Sequence, residues 1–274
     1  MSATRYSIGQ YTELRKERID FMTALVTGAS SGIGREIALK LAEKGVRLIV
    51  SGRNEEKLEE LRSEIGANRV KIITADISKK SECFRLYEEA SKYNVNILVN
   101  NAGFGLFGRF CTSDLERELE MIDVNIRAVH ILTKLFLKDF DDKNKGYILN
   151  VASAAGFMAG PLMATYYATK NYVVKLTQAI REEMRVKGSD VYVGAFCPGP
   201  VKTPFNDVAG VDFGLRGITA EQAAECAVNG MFARKSVIIP TLKMQAAVYG
   251  SRIVPDNALA AVTYNIQTKK GEAK

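Results

Sequence analysis

Three side chains in the middle of this chain have the types and spacing to move a proton. Ser153 is followed thirteen residues later by Tyr166, and Lys170 stands four residues beyond that. A free phenol holds its proton to a pKa near 10, too tightly for exchange at neutral pH. A lysine at i+4 on a helix lies one turn away on the same face. Its charge favours the phenolate and brings that pKa toward the working range, so the pair can act as general acid and base at an oxygen. Tyr167 stands at i+3 from the same lysine and is a rival for the role.

Such a set needs a helix for the Tyr–Lys pair and a strand that delivers the serine. The sequence predicts both. Seven short runs rich in Val and Ile read as strands, at 23–27, 47–51, 70–75, 95–100, 147–152, 191–196 and 237–239. They do not alternate apolar with polar, which marks strands buried on both faces of a parallel sheet. Helical patterns lie between them. Ile33, Ile37 and Leu41 recur at i, i+4, i+8 in and just before a predicted helix over 34–44. Asn54 reads as the N-cap of a helix over 55–65, and Gly66 as its stop. Ser78 is predicted to cap a helix to 93, Ser113 to start one reaching 140, and 161–187 to form a third, ended by Gly188. Strand–helix alternation with short connections implies an α/β fold, a doubly wound parallel sheet of about seven strands with helices on both faces.

The expected organisation is a polar N-terminal extension over 1–22 and a single domain over 23–274. The 274 residues suit one large domain. With 47% hydrophobic and 25% charged residues, the composition is that of a folded chain rather than a disordered one. The net charge of +7 comes from lysines and arginines scattered among acids, without the basic block that nucleic-acid binding needs. Four cysteines, at 83, 111, 197 and 226, form no C-x-x-C pair, and His130 is the single histidine. That argues against a zinc cluster or a disulfide framework. No run of about 18 apolar residues exists to span a bilayer, and residues 1–22 lack the apolar core of a signal peptide. The expected location is the cytoplasm.

A second motif lies at the end of the first strand. Thr27-Gly28-Ala29-Ser30-Ser31-Gly32-Ile33-Gly34-Arg35 runs into a helix. Glycines here let the backbone turn tightly and approach a pyrophosphate, and the helix N-terminus offers free N–H groups and a positive dipole end. This run resembles the TGxxxGxG signature of the short-chain dehydrogenase/reductase superfamily. Further matches follow in that family's order: Asn100-Asn101-Ala102-Gly103 (NNAG), Asn125, Ser153, Tyr166-x-x-x-Lys170, and Pro198-Gly199-Pro200-Val201-Lys202-Thr203 (PGxVxT). Together they span about residues 23 to 240.

The resemblance implies a Rossmann-type oxidoreductase that transfers a hydride between nicotinamide and an alcohol/ketone pair. Tyr166 would be the general acid and base, selected over Tyr167 by its interval from Ser153 and by the Y-x-x-x-K register. Ser153 would hold the substrate oxygen, and Asn125 would distort its helix and help hold a water beside Lys170. Gly28, Ser30, Ser31, Gly32, Ile33 and Gly34 would cradle the cofactor. Asp76 and Ile77 would lie at the adenine, Asn100, Ala102 and Gly103 along the sheet edge, and Pro198, Gly199, Val201 and Thr203 at the carboxamide. The family's acidic ribose-binding residue is replaced by Gly52, followed by Arg53. A guanidinium can clamp a 2′-phosphate that an acid would repel. Arg35 could add a second charge, and the expected cofactor is NADP(H).

Residues 204–217 are expected to form a substrate lid, and 241–268 a C-terminal segment of two helices interrupted at Pro255. Phe104, Phe157 and Phe205 are expected to touch substrate, with Leu106, Phe107, Ala154, Met158, Leu162 and Met163 nearby. This apolar lining suits a hydrophobic ketone or secondary alcohol, as in a hydroxysteroid dehydrogenase or ketoreductase, better than a sugar. The resemblance implies a homodimer or homotetramer, since the helices over 113–140 and 161–187 correspond to that family's usual dimer faces. Two rival readings are a 3-oxoacyl carrier-protein reductase and a non-catalytic NADP-sensing regulator. The regulator would be expected to have lost Tyr166 or Lys170.

Overall fold

The computed structural model describes residues 21–205 and 217–271. Seven parallel strands form its main sheet: β1 (Thr23–Thr27), β2 (Arg47–Gly52), β3 (Val70–Thr74), β4 (Ile97–Asn100), β5 (Gly146–Val151), β6 (Val191–Phe196) and, last in the sheet, β9 (Val237–Ile238). Their order is β3-β2-β1-β4-β5-β6-β9. The chain winds outward from β1 in one direction and from β4 in the other. A crevice therefore opens above the carboxyl ends of these two central strands. Two short strands, β7 (Val201–Lys202) and β8 (Ile218–Thr219), pair in parallel outside the main sheet.

Both faces of the sheet are covered, which is why the strands read as unbroken apolar runs. Ala24 and Val26 of β1 and Leu48 and Val50 of β2 point into one core layer, beneath α1 (Gly32–Glu43), α2 (Glu55–Ile65) and α7 (Ala220–Phe232). Leu25 and Ile49 point into the other. That layer lies under α3 (Lys80–Ser91), α5 (Val129–Asp142) and α6 (Ala164–Lys187).

Several helix ends obey local chemistry that the sequence announces. The Asn54 side chain accepts from Lys57 N–H at 2.9 Å, and Gly66, with φ at +112°, ends α2. Gly188 closes α6 in the left-handed conformation, φ +73°. Other ends differ from expectation. Helix α3 starts at Lys80, because Ser78 turns its hydroxyl to Asp76 at 2.8 Å. Asp114, not Ser113, caps α4 (Leu115–Ile122), accepting from Arg117 N–H at 2.9 Å. The single helix expected to reach 140 is widened into a π-helical segment over Asp123–Ala128, between α4 and α5. Helix α6 begins at Ala164 rather than 161, since Leu162 sits at φ +65° and cannot continue a right-handed helix. Helix α7 was not anticipated. Its signature is a capping box, in which Thr219 and Gln222 exchange side-chain-to-backbone bonds.

The C-terminal segment forms two helices, α8 (Leu242–Gly250) and α9 (Asp256–Gly271). Residues 206–216, most of the expected lid, and the extension up to residue 20 lie outside the described residues. Among the described residues no helix is long and apolar enough to cross a membrane, and no group of His, Cys, Asp or Glu could hold a metal ion.

Candidate active site

The glycine loop leaves β1 and is tied to the end of β4 by side chains. Thr27 Oγ1 accepts from the backbone N–H of Asn101 at 3.0 Å and of Ala102 at 3.1 Å. The Asn101 carboxamide donates back to the carbonyls of Thr27 at 3.0 Å and Gly28 at 3.1 Å. Gly28 and Gly32 take φ values of +65° and +56°, which favour glycine. A Cβ on Gly28 would lie 2.8 Å from Ala102 Cα, and one on Gly34 would overlap the Asn101 carboxamide. The glycines thus let two strand ends approach and leave the N-terminus of α1 facing the crevice. Ser31, at the N-cap of α1, makes no side-chain cap bond. The cradle suits a phosphate group held by backbone N–H donors.

The crevice is a cleft of about 540 Å³ running from this loop to the start of α6. Of the sequence-expected cofactor residues, Gly28, Ser30, Ser31, Gly32, Ile33, Arg53, Asp76, Ile77, Ala102, Gly103, Pro198, Gly199, Val201 and Thr203 line it, together with Tyr166 and Lys170. Thr203 reaches across to Gly32, where an added Cβ would meet it at 3.3 Å. At the far end the Arg53 guanidinium is 64% exposed and pairs with Glu120 at 3.0 Å. The other Glu120 oxygen takes Arg117, whose guanidinium also covers the Phe104 ring at 4.9 Å. Burial pushes the Asp76 carboxyl up, but hydrogen bonds from Ser78 outweigh it and hold the pKa below the usual range.

Several expected residues lie elsewhere. Arg35 does not line the cleft, because Glu36 and Glu64 hold its guanidinium on the outer face of α1. Gly34 lies beneath the loop and acts by making room for Asn101. Asn100 is buried below the floor, donating to Thr133 at 3.0 Å and Asn150 at 2.9 Å. Phe157 turns away into a separate apolar cluster, with Arg252 5.7 Å from its ring. Leu106, Phe107 and Leu162 are likewise not among the lining residues.

The reactive groups meet at the other end of the cleft. Ser153 follows β5, and its Oγ accepts from Ala155 N–H at 3.1 Å. Tyr166 and Lys170 come from the first turns of α6 and are 9% and 5% exposed. Lys170 Nζ donates to the Val151 carbonyl at 3.0 Å and lies 5.9 Å from the Tyr166 ring. Asn125, in the π-helical segment, does not line the cleft. Its carboxamide clamps the backbone of Phe104, accepting from N–H at 3.1 Å and donating to the carbonyl at 2.9 Å, and donates to Thr169 at 3.1 Å. A Cβ on Gly103 would meet Asn125 Oδ1 at 2.9 Å and Lys170 Nζ at 3.3 Å, so this glycine brings both close.

Burial sets the protonation of the pair. It pushes the Tyr166 phenol up to about 12, with the hydrogen bond to Ser153 opposing, and pushes the Lys170 ammonium down to about 8. The sequence expectation that Lys170 lowers the phenol is therefore outweighed here by loss of water. The lysine shift has a consequence for stability. Below pH 8 the folded chain carries the full cost of a buried ammonium, and the cost fades as pH rises toward the ordinary value of 10.5. Lys170→Met is expected to raise Tm by about 3 °C at pH 7, with a smaller gain at pH 10. A lower Tm at pH 7 would mean that the amine's bond to Val151 outweighs its burial.

Apolar side chains surround this end: Phe104, Ala154, Ala155, Met158, Met163 and Phe205. Phe205 packs on the Tyr166 ring at 5.5 Å, and Gly105 leaves room for the two to meet. Tyr167, the rival that the sequence spacing passes over, lines the cleft as well. Asn101, Arg117 and Met244 were also not singled out. Only Asn101 had a signal, its place inside the NNAG run.

Comparison with known proteins gives a consistent answer. A family model described as short chain dehydrogenase matches residues 22–211. An uncharacterized oxidoreductase of Staphylococcus epidermidis is 34% identical over 211 residues, 76% of this chain and 90% of that protein. A short-chain dehydrogenase from Sphingobium yanoikuyae, solved with NADPH, superposes with a TM-score of 0.77 at 29% identity, covering 84% of this chain and 93% of that one. One from Burkholderia phymatum, solved with NAD, gives 0.76 at 26%, covering 83% and 92%. A bulky-bulky ketone specific alcohol dehydrogenase from Comamonas testosteroni gives 0.73 at 26%, covering 84% and 92%. The parallel sheet, the glycine loop at its crevice and the matched residues 22–211 lead to one conclusion: the chain belongs to the short-chain dehydrogenase/reductase family of oxidoreductases.

Proposed function

We propose that the protein is an NADP(H)-dependent oxidoreductase that interconverts a hydrophobic ketone and its secondary alcohol. The observation that carries this reading is the meeting of Ser153, Tyr166 and Lys170 with an apolar wall, at the end of a cleft whose other end presents Arg53. A nicotinamide cofactor, when bound in this cleft, would supply or accept the hydride. The chain's own residues do the rest. Ser153 holds the substrate oxygen within reach of the Tyr166 hydroxyl, and Tyr166 gives its proton to that oxygen in reduction or takes it in oxidation. Lys170 stabilises the phenolate left behind. Asn125 fixes the backbone at Phe104 and, through Gly103, the space beside Lys170. Arg53, freed from Glu120, takes the 2′-phosphate.

The substrate class rests on the lining. Near Tyr166 the wall is mostly Phe, Met and Ala side chains, which disfavour a polyol by stripping water from hydroxyls they cannot bond. The resemblance to the bulky-ketone enzyme from Comamonas testosteroni supports the same class. A panel of carbonyls and alcohols, followed by NADPH absorbance, is expected to give higher kcat/KM for bulky apolar ketones than for sugars or polyols. The reverse ranking would overturn the substrate class. A cytoplasmic homodimer or homotetramer, joined through α4–α5 and α6, is part of the same proposal.

A further inference from the structure

A phenol interrupts the apolar wall. Tyr167 lines the cleft beside Tyr166, with ring centres 6.1 Å apart and planes at 78°. Its ring lies against Gly160, where any Cβ would overlap it. Its hydroxyl is met from behind by Gln267 of the C-terminal helix α9, whose Nε2 donates to it at 2.8 Å. Gln267 is 0% exposed. The same Nε2 lies 3.7 Å from Met163 Sδ, and a thioether sulfur accepts but does not donate, which favours the carboxamide orientation with nitrogen toward both. Gln267 Oε1 has no hydrogen-bond partner among the described residues.

This arrangement is unusual for a helix packed on a protein. The inward positions of α9 include Thr263 and Gln267, while Val262, Tyr264 and Ile266 face outward. A buried carboxamide left half unsatisfied destabilises the fold. Leu or Met at 267 would avoid that cost, so packing alone does not account for the glutamine. Its effect is directional. With one lone pair of the Tyr167 oxygen engaged from behind by Nε2–H, the phenolic proton is left to point into the cleft.

We propose that Tyr167, positioned by Gln267, is a specificity-determining donor that reads a second oxygen on the substrate, remote from the reacting carbonyl. The preferred substrate class is therefore an apolar skeleton carrying two oxygen functions, such as a diketone or a keto-ester, rather than a simple ketone. This deepens the carbonyl-oxidoreductase reading and rests on it. A donor bonded to an uncharged acceptor in a dry pocket is worth about 1.4 kcal/mol, or about tenfold in affinity.

The test compares a bicyclic ketone with the diketone of the same skeleton, using the full chain with NADPH. The wild type is expected to favour the diketone about tenfold in kcat/KM, through KM. In Tyr167→Phe that ratio is expected to fall to near one. Gln267→Leu should lower it as well, because without the Nε2–H donor behind it the phenol is no longer aimed into the cleft, and this variant serves if Tyr167→Phe fails to fold. A purely structural role would reduce both ketones together and keep the ratio, and that outcome overturns the inference, as does a wild-type ratio near one. Calorimetric binding of the diketone needs no turnover and separates the two readings. If wild type reduces neither ketone yet binds the diketone about tenfold more tightly than Tyr167→Phe does, the reductase reading fails and the donor site stands.

Discussion

Tyr166→Phe is expected to lower kcat by about 10²- to 10⁴-fold, the range that a positioned general acid and base contributes. The substitution removes one oxygen and leaves the ring, so packing against Phe205 and Gly105 is retained. Tm and cofactor affinity should change little, which distinguishes loss of chemistry from loss of structure. The surroundings make the prediction sharp. Ser153 is the neighbouring hydroxyl, and an aliphatic alcohol is a far weaker acid than a phenol. Lys170 is held by the Val151 carbonyl at 3.0 Å. Neither is placed to take over a proton transfer at the substrate oxygen. Steady-state turnover of the best ketone from the panel, measured with saturating NADPH, checks it. Retention of even a tenth of the wild-type kcat would remove Tyr166 from the chemistry.

Arg53→Asp is expected to raise the apparent KM for NADPH about 30- to 150-fold, the effect of losing a charge-assisted hydrogen bond worth about 2–3 kcal/mol. The KM for NADH should stay level or fall, since an acid at the end of β2 can accept from ribose hydroxyls. The structure adds a competitor. Glu120 holds Arg53 at 3.0 Å and Arg117 with its other oxygen. A phosphate arriving here must exchange with a carboxylate already in place, so the net gain for NADPH over NADH is smaller than the bond alone suggests. Exposed as Arg53 is, its ion pair with Glu120 is itself weak, and the dianionic phosphate should win. A wild type that prefers NADH would refute the assignment.

The sheet and the cleft floor were legible because both rest on local rules. Unbroken apolar runs identified all seven main-sheet strands, with ends shifted by no more than two residues. The glycine loop and the Ser–Tyr–Lys spacing located the two ends of the cleft. What was not legible depends on where side chains turn. Arg35 follows the loop directly, yet helix geometry points it at Glu64. Phe157 sits four residues past Ser153, yet the short 3₁₀ turn Ala154–Phe157 directs it into another cluster. Burial around Tyr166, which pushes its phenol up, is likewise invisible to periodicity, which reports only proximity to Lys170. Gln267 lies 100 residues from Tyr167, and no local pattern links them.

The buried carboxamides below the cleft bear on a different problem, that of choosing one strand alignment. Asn100 and Asn150 are register partners on β4 and β5, joined at 2.9 Å, and Asn150 donates onward to Thr177 of α6 at 2.9 Å. Around them run Ile97, Leu98 and Val99 against Tyr147, Ile148 and Leu149. Strands apolar on both faces give little penalty for slipping by one residue, since one aliphatic side chain replaces another. Two asparagines do. A slip would press each carboxamide against hydrocarbon, at about 1–3 kcal/mol per stranded group. The polar pair thus acts as a keyway for the central strands, and through Thr177 it indexes α6, and with it Tyr166 and Lys170, to that single alignment.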